Sequence, residues 1–141
     1  MSSPTLVNIR GFRNLGNTCY MNAALQALLS SNIMNAVIVL YIQKYPKCID
    51  TISPLLLEYC RIIIDLLKKE DTGYPAFRSS YSPQSFKHTL DKENQWFRGS
   101  AQHDSNELAV YLINEFADEK KDKGLSNIIL KVCFGKYVQY V

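Results

Sequence analysis

The sequence lacks three features that would each indicate a familiar class of protein: an export signal, a membrane-length apolar run and a metal-binding spacing of cysteine and histidine. No positively charged start is followed by an apolar core, so export is not predicted. The longest apolar runs are interrupted by charged residues well before the roughly 20 residues that a membrane helix needs, and no membrane partner is expected. Because there is no C-x-x-C or close Cys/His pair, neither a metal ion nor another cofactor is predicted.

The sequence also lacks a large excess of either positive or negative charge. The chain has 16 lysines and arginines against 13 aspartates and glutamates, and these residues are scattered singly along it. A basic patch interleaved with aromatic residues, which is typical of nucleic-acid binding, is absent from the sequence. Nucleic acid is therefore not an expected partner.

Length and composition favour one globular core. The chain has 141 residues, of which 47% are hydrophobic, and a chain of about this size buries roughly 68–70% of its unfolded surface. The sequence has no internal repeats, low-complexity tracts or linker-like segments. We predict a single domain over residues 1–141.

The four cysteines, Cys19, Cys48, Cys60 and Cys133, are widely and irregularly spaced. A chain of this size does not need disulfide staples, so free thiols in a reducing compartment are expected, and with them a cytoplasmic or nuclear location. For Cys48, Cys60 and Cys133 we expect small buried or incidental thiols.

Helical periodicity dominates most of the chain. Over residues 19–30, apolar side chains recur at i, i+3, i+4, i+7 and i+8, which predicts a helix with one buried stripe. Thr18 or Asn17 can cap this helix. Residues 35–45 are apolar on nearly all sides, so they are compatible with a buried helix or a strand, and we favour the helix.

Proline and acidic residues mark the starts of three further helices. Ser53 followed by Pro54 predicts a helix that runs to about Glu70. Another serine-proline pair, at residues 82–83, repeats this signal. The clearest start is a capping-box pattern at residues 104–107, which predicts a helix from 104 to about 119.

The end of the chain has a different pattern. Apolar residues alternate with less apolar neighbours, which predicts a strand over residues 127–141. The alternating positions are Ile128, Leu130, Val132 and Phe134. A terminal strand needs a partner for its backbone groups. We therefore expect a mainly α (α+β) fold that lacks part of a sheet, and a chain that associates through the unpaired strand.

Residues 14–22 carry the strongest chemical signal. Gly16 and its cap-forming neighbours place Cys19 in the first turn of a helix, where backbone N–H groups without intrahelical partners favour an anion. The helix dipole stabilises a thiolate there by only about 0.3–1 kcal/mol, so efficient attack on an amide also needs a histidine. Asn14, five residues earlier, can donate to an oxyanion beside the Cys19 backbone N–H. On this chemistry alone, a small buried cysteine is the commoner interpretation.

A wider segment changes that balance. Residues Gly11 to Gln26 closely resemble the cysteine box of the ubiquitin-specific proteases, and Gln102 to Leu108 resemble the glutamine-aspartate box of the same family. Ser82 to Lys87 and Phe134 to Val138 are similar to weaker family segments in the same order. The resemblance spans residues 10–141. It implies the thumb subdomain of a papain-like cysteine protease, helical with a C-terminal strand, the palm sheet and fingers missing.

The resemblance also implies roles for particular residues. Cys19 would be the catalytic nucleophile and Asn14 the oxyanion-hole donor. Gln102 and Asp104 would bind substrate by lining the cleft for the extended C-terminal tail of ubiquitin. For Asp104, a simple helix cap is an equally good interpretation.

The resemblance implies a thiol-dependent deubiquitinase that cleaves the isopeptide or peptide bond after the C-terminal glycine of ubiquitin. The family's catalytic histidine has no match here, because neither His88 nor His103 lies in the corresponding motif. We therefore expect an incomplete catalytic domain with little or no turnover. Its expected partners are ubiquitin or a ubiquitinated protein, with a complementary chain as a further possible partner that would supply the half of the domain carrying the histidine and the aspartate. The alternative is a non-catalytic module that binds ubiquitin or another protein.

Overall fold

The computed structural model describes residues 11–67 and 80–134, and their regular structure is almost entirely helical. Two short 3-10 helices, Pro46–Asp50 and Gln95–Phe97, accompany six α-helices in these residues. The α-helices are α1 (Cys19–Leu29), α2 (Asn32–Lys44), α3 (Pro54–Leu67), α4 (Gln84–Glu93), α5 (Ser105–Phe116) and α6 (Lys123–Phe134). The prediction of a mainly helical fold is confirmed. The described residues contain no strand, and their one β-bridge joins Phe12 to Tyr81 in parallel.

Helices α1 and α2 follow each other closely but point in different directions. Helix α1 ends where the Ser30 N–H donates back to the carbonyl of Gln26. Ser31 then caps α2, because its hydroxyl accepts from the Met34 N–H. The helix favoured for residues 35–45 is therefore confirmed. Within the described residues no single helix is long and apolar enough to cross a membrane; α1 and α2 reach that length and composition only when combined, and a bend of 79° separates them.

One hydrophobic core runs through all six helices. Helix α1 packs against α5, α2 against α6, and α3 against α4 and α5. The largest fully buried side chains include Tyr59, Phe86, Phe97, Met21, Leu25 and Ile38. The apolar stripe of α1 therefore sits on α5, and this contact brings the start of α1 close to the segment that leads into α5.

A buried polar tie joins three helices inside this core. Asn35 on α2 is 1% exposed, and its Nδ2 donates to the carbonyl of Leu29 at 2.9 Å. The Tyr59 hydroxyl on α3 donates to Asn35 Oδ1 at 2.6 Å. Burial raises the pKa of Tyr59, so the phenol remains a donor at neutral pH. Each amide end is thus satisfied, as a buried polar side chain requires.

The strand predicted for the end of the chain is wrong over residues 127–134, which belong to α6. Helix α6 buries Leu125, Ser126 and Ile129, with Val132 and Cys133 partly buried, and the spacing i, i+1, i+4, i+7 and i+8 is helical. The alternation at Ile128, Leu130 and Val132 indicated a strand, but the same segment also carries a helical pattern, and the burial of Leu125 and Ile129 in the core selects the helix. The rest of the predicted strand, residues 135–141, lies outside the described residues.

The start of α6 is held against α2. Asp122 accepts the Leu125 N–H at 3.0 Å and the Tyr41 hydroxyl at 2.7 Å on the same oxygen. The hydrogen bond to Asp122 raises the pKa of Tyr41 to about 12. A Cβ at Gly124 would lie 2.5 Å from the Tyr41 hydroxyl oxygen, so the close approach requires glycine.

The remaining predicted helices are found with small shifts at their ends. Helix α3 begins as expected, since the Ser53 hydroxyl accepts from the Leu55 N–H. The expected extension of α3 to Glu70 lies outside the described residues. Helix α4 follows the second serine-proline pair. Helix α5 ends at Phe116 rather than near residue 119, because the chain there enters a turn in which the Asp118 N–H donates to the Glu115 carbonyl.

Candidate active site

The loop before α1 is closed by one asparagine side chain. Asn14 Oδ1 accepts from the Gly16 N–H at 3.0 Å and from the N–H and hydroxyl of Thr18, each at 3.2 Å. The turn needs left-handed backbone at Gly16 (φ 94°) and Asn17 (φ 50°), the residue types that adopt it most readily. Thr18 occupies the cap position of α1, but its hydroxyl accepts from the Leu15 N–H in the loop and does not cap the helix.

This closure determines which end of the Asn14 amide is available. The carbonyl oxygen points into the loop, so the Nδ2 group is the end that remains for another partner. In the described part of the chain no acceptor binds Nδ2, and the residue is exposed. An oxyanion donor needs such an N–H group that is held in place but not used. The role predicted for Asn14 remains a prediction.

Cys19 is the first residue of α1 and is exposed. Helix α1 is hydrogen-bonded from its first turn, since the Asn22 N–H donates to the Thr18 carbonyl at 2.9 Å. The backbone N–H groups of that turn lack intrahelical acceptors and stabilise negative charge near the sulfur. The thiol is therefore accessible to solvent at the position where a helix best supports an anion.

Gln102 lies against this sulfur. The Cys19 S–H donates to Gln102 Oε1 at a distance of 3.3 Å. The other end of the same amide, Nε2, donates to Asn17 Oδ1 at 3.1 Å, and Asn17 Nδ2 donates to the Ser100 carbonyl at 2.9 Å. Two segments that are 83 residues apart in the sequence thus meet at the thiol. Sequence reasoning assigned Asn17 only a capping role and missed this bridging one; its position beside the nucleophile was the available signal.

Asp104 caps α5. Its Oδ1 accepts from the Asn106 N–H at 2.7 Å, and its backbone has the extended conformation of a cap residue. The side chain is exposed, so its second oxygen can still accept from another molecule. Of the four predicted site residues, Cys19 and Gln102 are in contact. Asn14 lies in the loop before α1, and Asp104 is hydrogen-bonded as the cap of α5.

The capping bond of Asp104 predicts a change in stability. Asp104→Ala removes the bond to Asn106, and we expect the free energy of unfolding to fall by about 1 kcal/mol. Asp104→Asn keeps the cap, because asparagine is an equally good cap residue, so its stability should stay within a few tenths of a kcal/mol. Urea unfolding measures both variants. An alanine variant as stable as the wild type would contradict the cap.

The two histidines of the sequence both lie in the described residues, and neither forms a hydrogen bond with the sulfur, whose partner is Gln102. His103 sits among aromatic rings: its ring centroid is 5.2 Å from that of Tyr20 and 5.1 Å from that of Phe97. Its Nε2 is buried without a hydrogen-bond partner in the described residues. His88 is exposed on α4. Within the same residues, no cluster of three His, Cys, Asp or Glu side chains suits a metal ion.

The other three cysteines differ from Cys19 in their surroundings. Cys48 is buried, Cys60 and Cys133 are partly buried, and all three are free. Burial raises the pKa of Cys60 to about 12, and it also raises the pKa of the Cys48 and Cys133 thiols. These groups are protonated at neutral pH and poorly reactive, because the thiolate is the nucleophile. The exposed thiol of the chain is Cys19.

Comparison with known proteins gives a consistent result. Residues 10–141 match the family model described as ubiquitin carboxyl-terminal hydrolase. Ubiquitin carboxyl-terminal hydrolases 9 and 10 of Arabidopsis thaliana are 36% and 35% identical to the chain over 108 residues, which cover 75% of it. Probable ubiquitin carboxyl-terminal hydrolase 1 of Schizosaccharomyces pombe is 31% identical over 110 residues, or 77% of the chain. The aligned parts amount to 11–12% of the length of these relatives.

Proposed function

Because the chain belongs to the ubiquitin carboxyl-terminal hydrolase family, we propose that Cys19 is the nucleophile of a deubiquitinase. The bond to be cleaved is the isopeptide or peptide bond after the C-terminal glycine of ubiquitin. The observation that carries the proposal is the exposed sulfur at the first residue of α1, in contact with Gln102. The surroundings of the other three cysteines support the same choice, since burial keeps their thiols protonated.

The proposed reaction proceeds in two steps. The Cys19 thiolate attacks the carbonyl carbon of the terminal glycine, and a carbon–sulfur bond forms while the carbonyl oxygen becomes an oxyanion. Asn14 Nδ2 and the Cys19 backbone N–H stabilise this oxyanion. The carbon–nitrogen bond then breaks as the leaving amine takes a proton, and water hydrolyses the thioester to free the ubiquitin carboxylate and the thiol.

Gln102 has to change partners along this path. Its Oε1 accepts from the S–H group at rest, and a thiolate offers no proton to that oxygen. Ionisation therefore weakens the contact and frees the amide for the backbone of an incoming peptide. We propose that Gln102 and the open oxygen of Asp104 bind the extended tail of ubiquitin in this way.

The leaving amine needs a proton donor, and neither histidine of the chain forms a hydrogen bond with the sulfur, whose partner is Gln102. His103 is held among aromatic rings and His88 is exposed on α4. We infer that efficient turnover requires a histidine from outside these residues, either in a longer form of the protein or in a second chain. The same observation favours the second candidate function, a module that binds ubiquitin without cleaving it.

A ubiquitin probe with a C-terminal electrophile separates the two functions. For a deubiquitinase, we expect covalent labelling that is lost in Cys19→Ala and kept in the matched control Cys133→Ala. Ubiquitin with a C-terminal amide-linked fluorophore should be cleaved at close to the background rate by this chain. Ubiquitin binding without labelling would favour the module, and neither binding nor labelling would overturn both functions.

We also propose a reducing location, cytoplasmic or nuclear. Its support is that the four cysteines are free and that three of them are buried or partly buried thiols. A catalytic thiol has to stay reduced to react, which a reducing compartment favours.

A further inference from the structure

We propose that Lys87 is a positioning residue for Cys19, and that it acts through the segment of residues 97–102. The Lys87 side chain is only 12% exposed. Its ammonium group forms an ion pair with Asp91 one turn later on α4 and donates to the Phe97 carbonyl at 2.9 Å. A nearly buried ammonium group is costly unless it is paired and hydrogen-bonded, so this geometry is strongly specified.

The carbonyl that Lys87 binds is shared with the residue that follows the nucleophile. The hydroxyl of Tyr20, the residue after Cys19, approaches the same Phe97 oxygen at 3.5 Å. The rings of Tyr20 and Phe97 are stacked with centroids 6.2 Å apart. Lys87 therefore binds the segment at the point where it packs on the first turn of α1.

The segment is then tied at both ends. On the α4 side, Arg98 Nε donates to the Asp91 carbonyl at 2.9 Å, which places a second bond beside that of Lys87. On the α1 side, Asn17 donates to the Ser100 carbonyl, and Gln102 contacts the sulfur. Without the bonds from α4, the position of Gln102 would depend on weaker contacts at the exposed end of the segment. The Lys87 ammonium thus helps to keep Gln102 Oε1 on the Cys19 thiol.

The test measures alkylation of Cys19 by iodoacetamide, followed by mass spectrometry of the Cys19 peptide. In Lys87→Met the segment is held by Arg98 and Asn17 without the ammonium bond, so the Gln102 contact is weakened and the thiol is held less firmly as an S–H donor. We expect alkylation to be faster by about 2- to 10-fold, which corresponds to the loss of one hydrogen bond. Lys87→Arg should restore the wild-type rate. Lys92→Met, which removes an exposed lysine from the same helix, is the matched control and should not change it.

A double variant separates positioning from general destabilisation. Gln102→Ala alone should speed alkylation at least as much as Lys87→Met does. Adding Lys87→Met to Gln102→Ala should have no further effect, because Lys87 acts through Gln102. Tyr41→Phe, which breaks the tie between α2 and α6, destabilises the fold elsewhere and should leave the alkylation rate unchanged.

Two results would overturn the proposal. One is an alkylation rate in Lys87→Met that equals that of the wild type. The other is an effect of Lys87→Met that persists in full when Gln102 is already alanine. The relevance of Lys87 to catalysis rests on the proposed function. Alkylation by iodoacetamide, however, does not require that the chain recognise ubiquitin. A failure of the ubiquitin probe to label the chain would therefore be distinguishable from a failure of the positioning role.

Discussion

Asn14→Asp is expected to slow the transfer of ubiquitin from a C-terminal thioester to Cys19 by about 10²–10³-fold, the usual effect of losing one oxyanion donor. The substitution replaces Nδ2 by an oxygen and keeps Oδ1, the atom that accepts from Gly16 and Thr18. The loop should therefore keep its conformation while the donor is lost. The new carboxylate also repels the oxyanion. A thioester is the appropriate substrate, because its leaving thiolate needs no proton. The reaction is then not limited by the lack of a histidine bonded to the sulfur.

Two controls isolate the oxyanion effect. Asn127→Asp makes the same chemical change at an exposed position on α6 and should leave transfer unchanged. Dividing each transfer rate by the rate of Cys19 alkylation with iodoacetamide corrects for any change in thiol reactivity. If Asn14→Asp then transferred ubiquitin within threefold of the wild type, Asn14 would have no role as a donor.

Leu25→Ala should lower the free energy of unfolding by about 2–5 kcal/mol, the range measured for buried leucines that leave a cavity. Leu25 is 0% exposed and lies on α1, the helix that packs on α5 and presents Cys19. Since small domains are stable by only about 5–15 kcal/mol, this loss is a large share of the total. Urea denaturation monitored by circular dichroism measures it.

Leu40→Ala provides the comparison for Leu25. Leu40 is 62% exposed on α2, and its truncation should change stability by no more than about 0.5 kcal/mol. If the two variants were equally stable, the packing of α1 against α5 would not hold the start of α1 in place. The account of how the fold positions Cys19 would then be wrong.

Local signals were sufficient for several helices. The apolar stripe of α1, the serine-proline start of α3 and the Asp104 cap of α5 each depend on residues within one or two turns, so the sequence displays them directly. Helix α6 was different. Its residues carry both an alternating and a helical pattern, and the packing of Leu125 and Ile129 in the core decides between them. That packing is tertiary and is not visible in a local window.

In the candidate site, too, some features follow from nearby residues and others depend on tertiary contacts. Two features follow from nearby residues: Cys19 lies at the start of a helix, and Asn14 lies in the loop just before it. The contact between Gln102 and the sulfur joins segments far apart in the sequence and depends on Asn17 as a bridge. The burial of Lys87 depends in the same way on how α4 meets the segment before α5. Resemblance to a family suggested Gln102, but no local pattern indicated either of these contacts.

Whether Cys19 is the nucleophile can be decided by finding which of the four thiols reacts with a ubiquitin probe that carries a C-terminal electrophile. After proteolysis, tandem mass spectrometry of the adduct locates the modified cysteine. We expect modification of Cys19, with Cys48, Cys60 and Cys133 unmodified in the folded chain. An adduct spread over all four cysteines, or one found on a cysteine other than Cys19, would contradict this expectation.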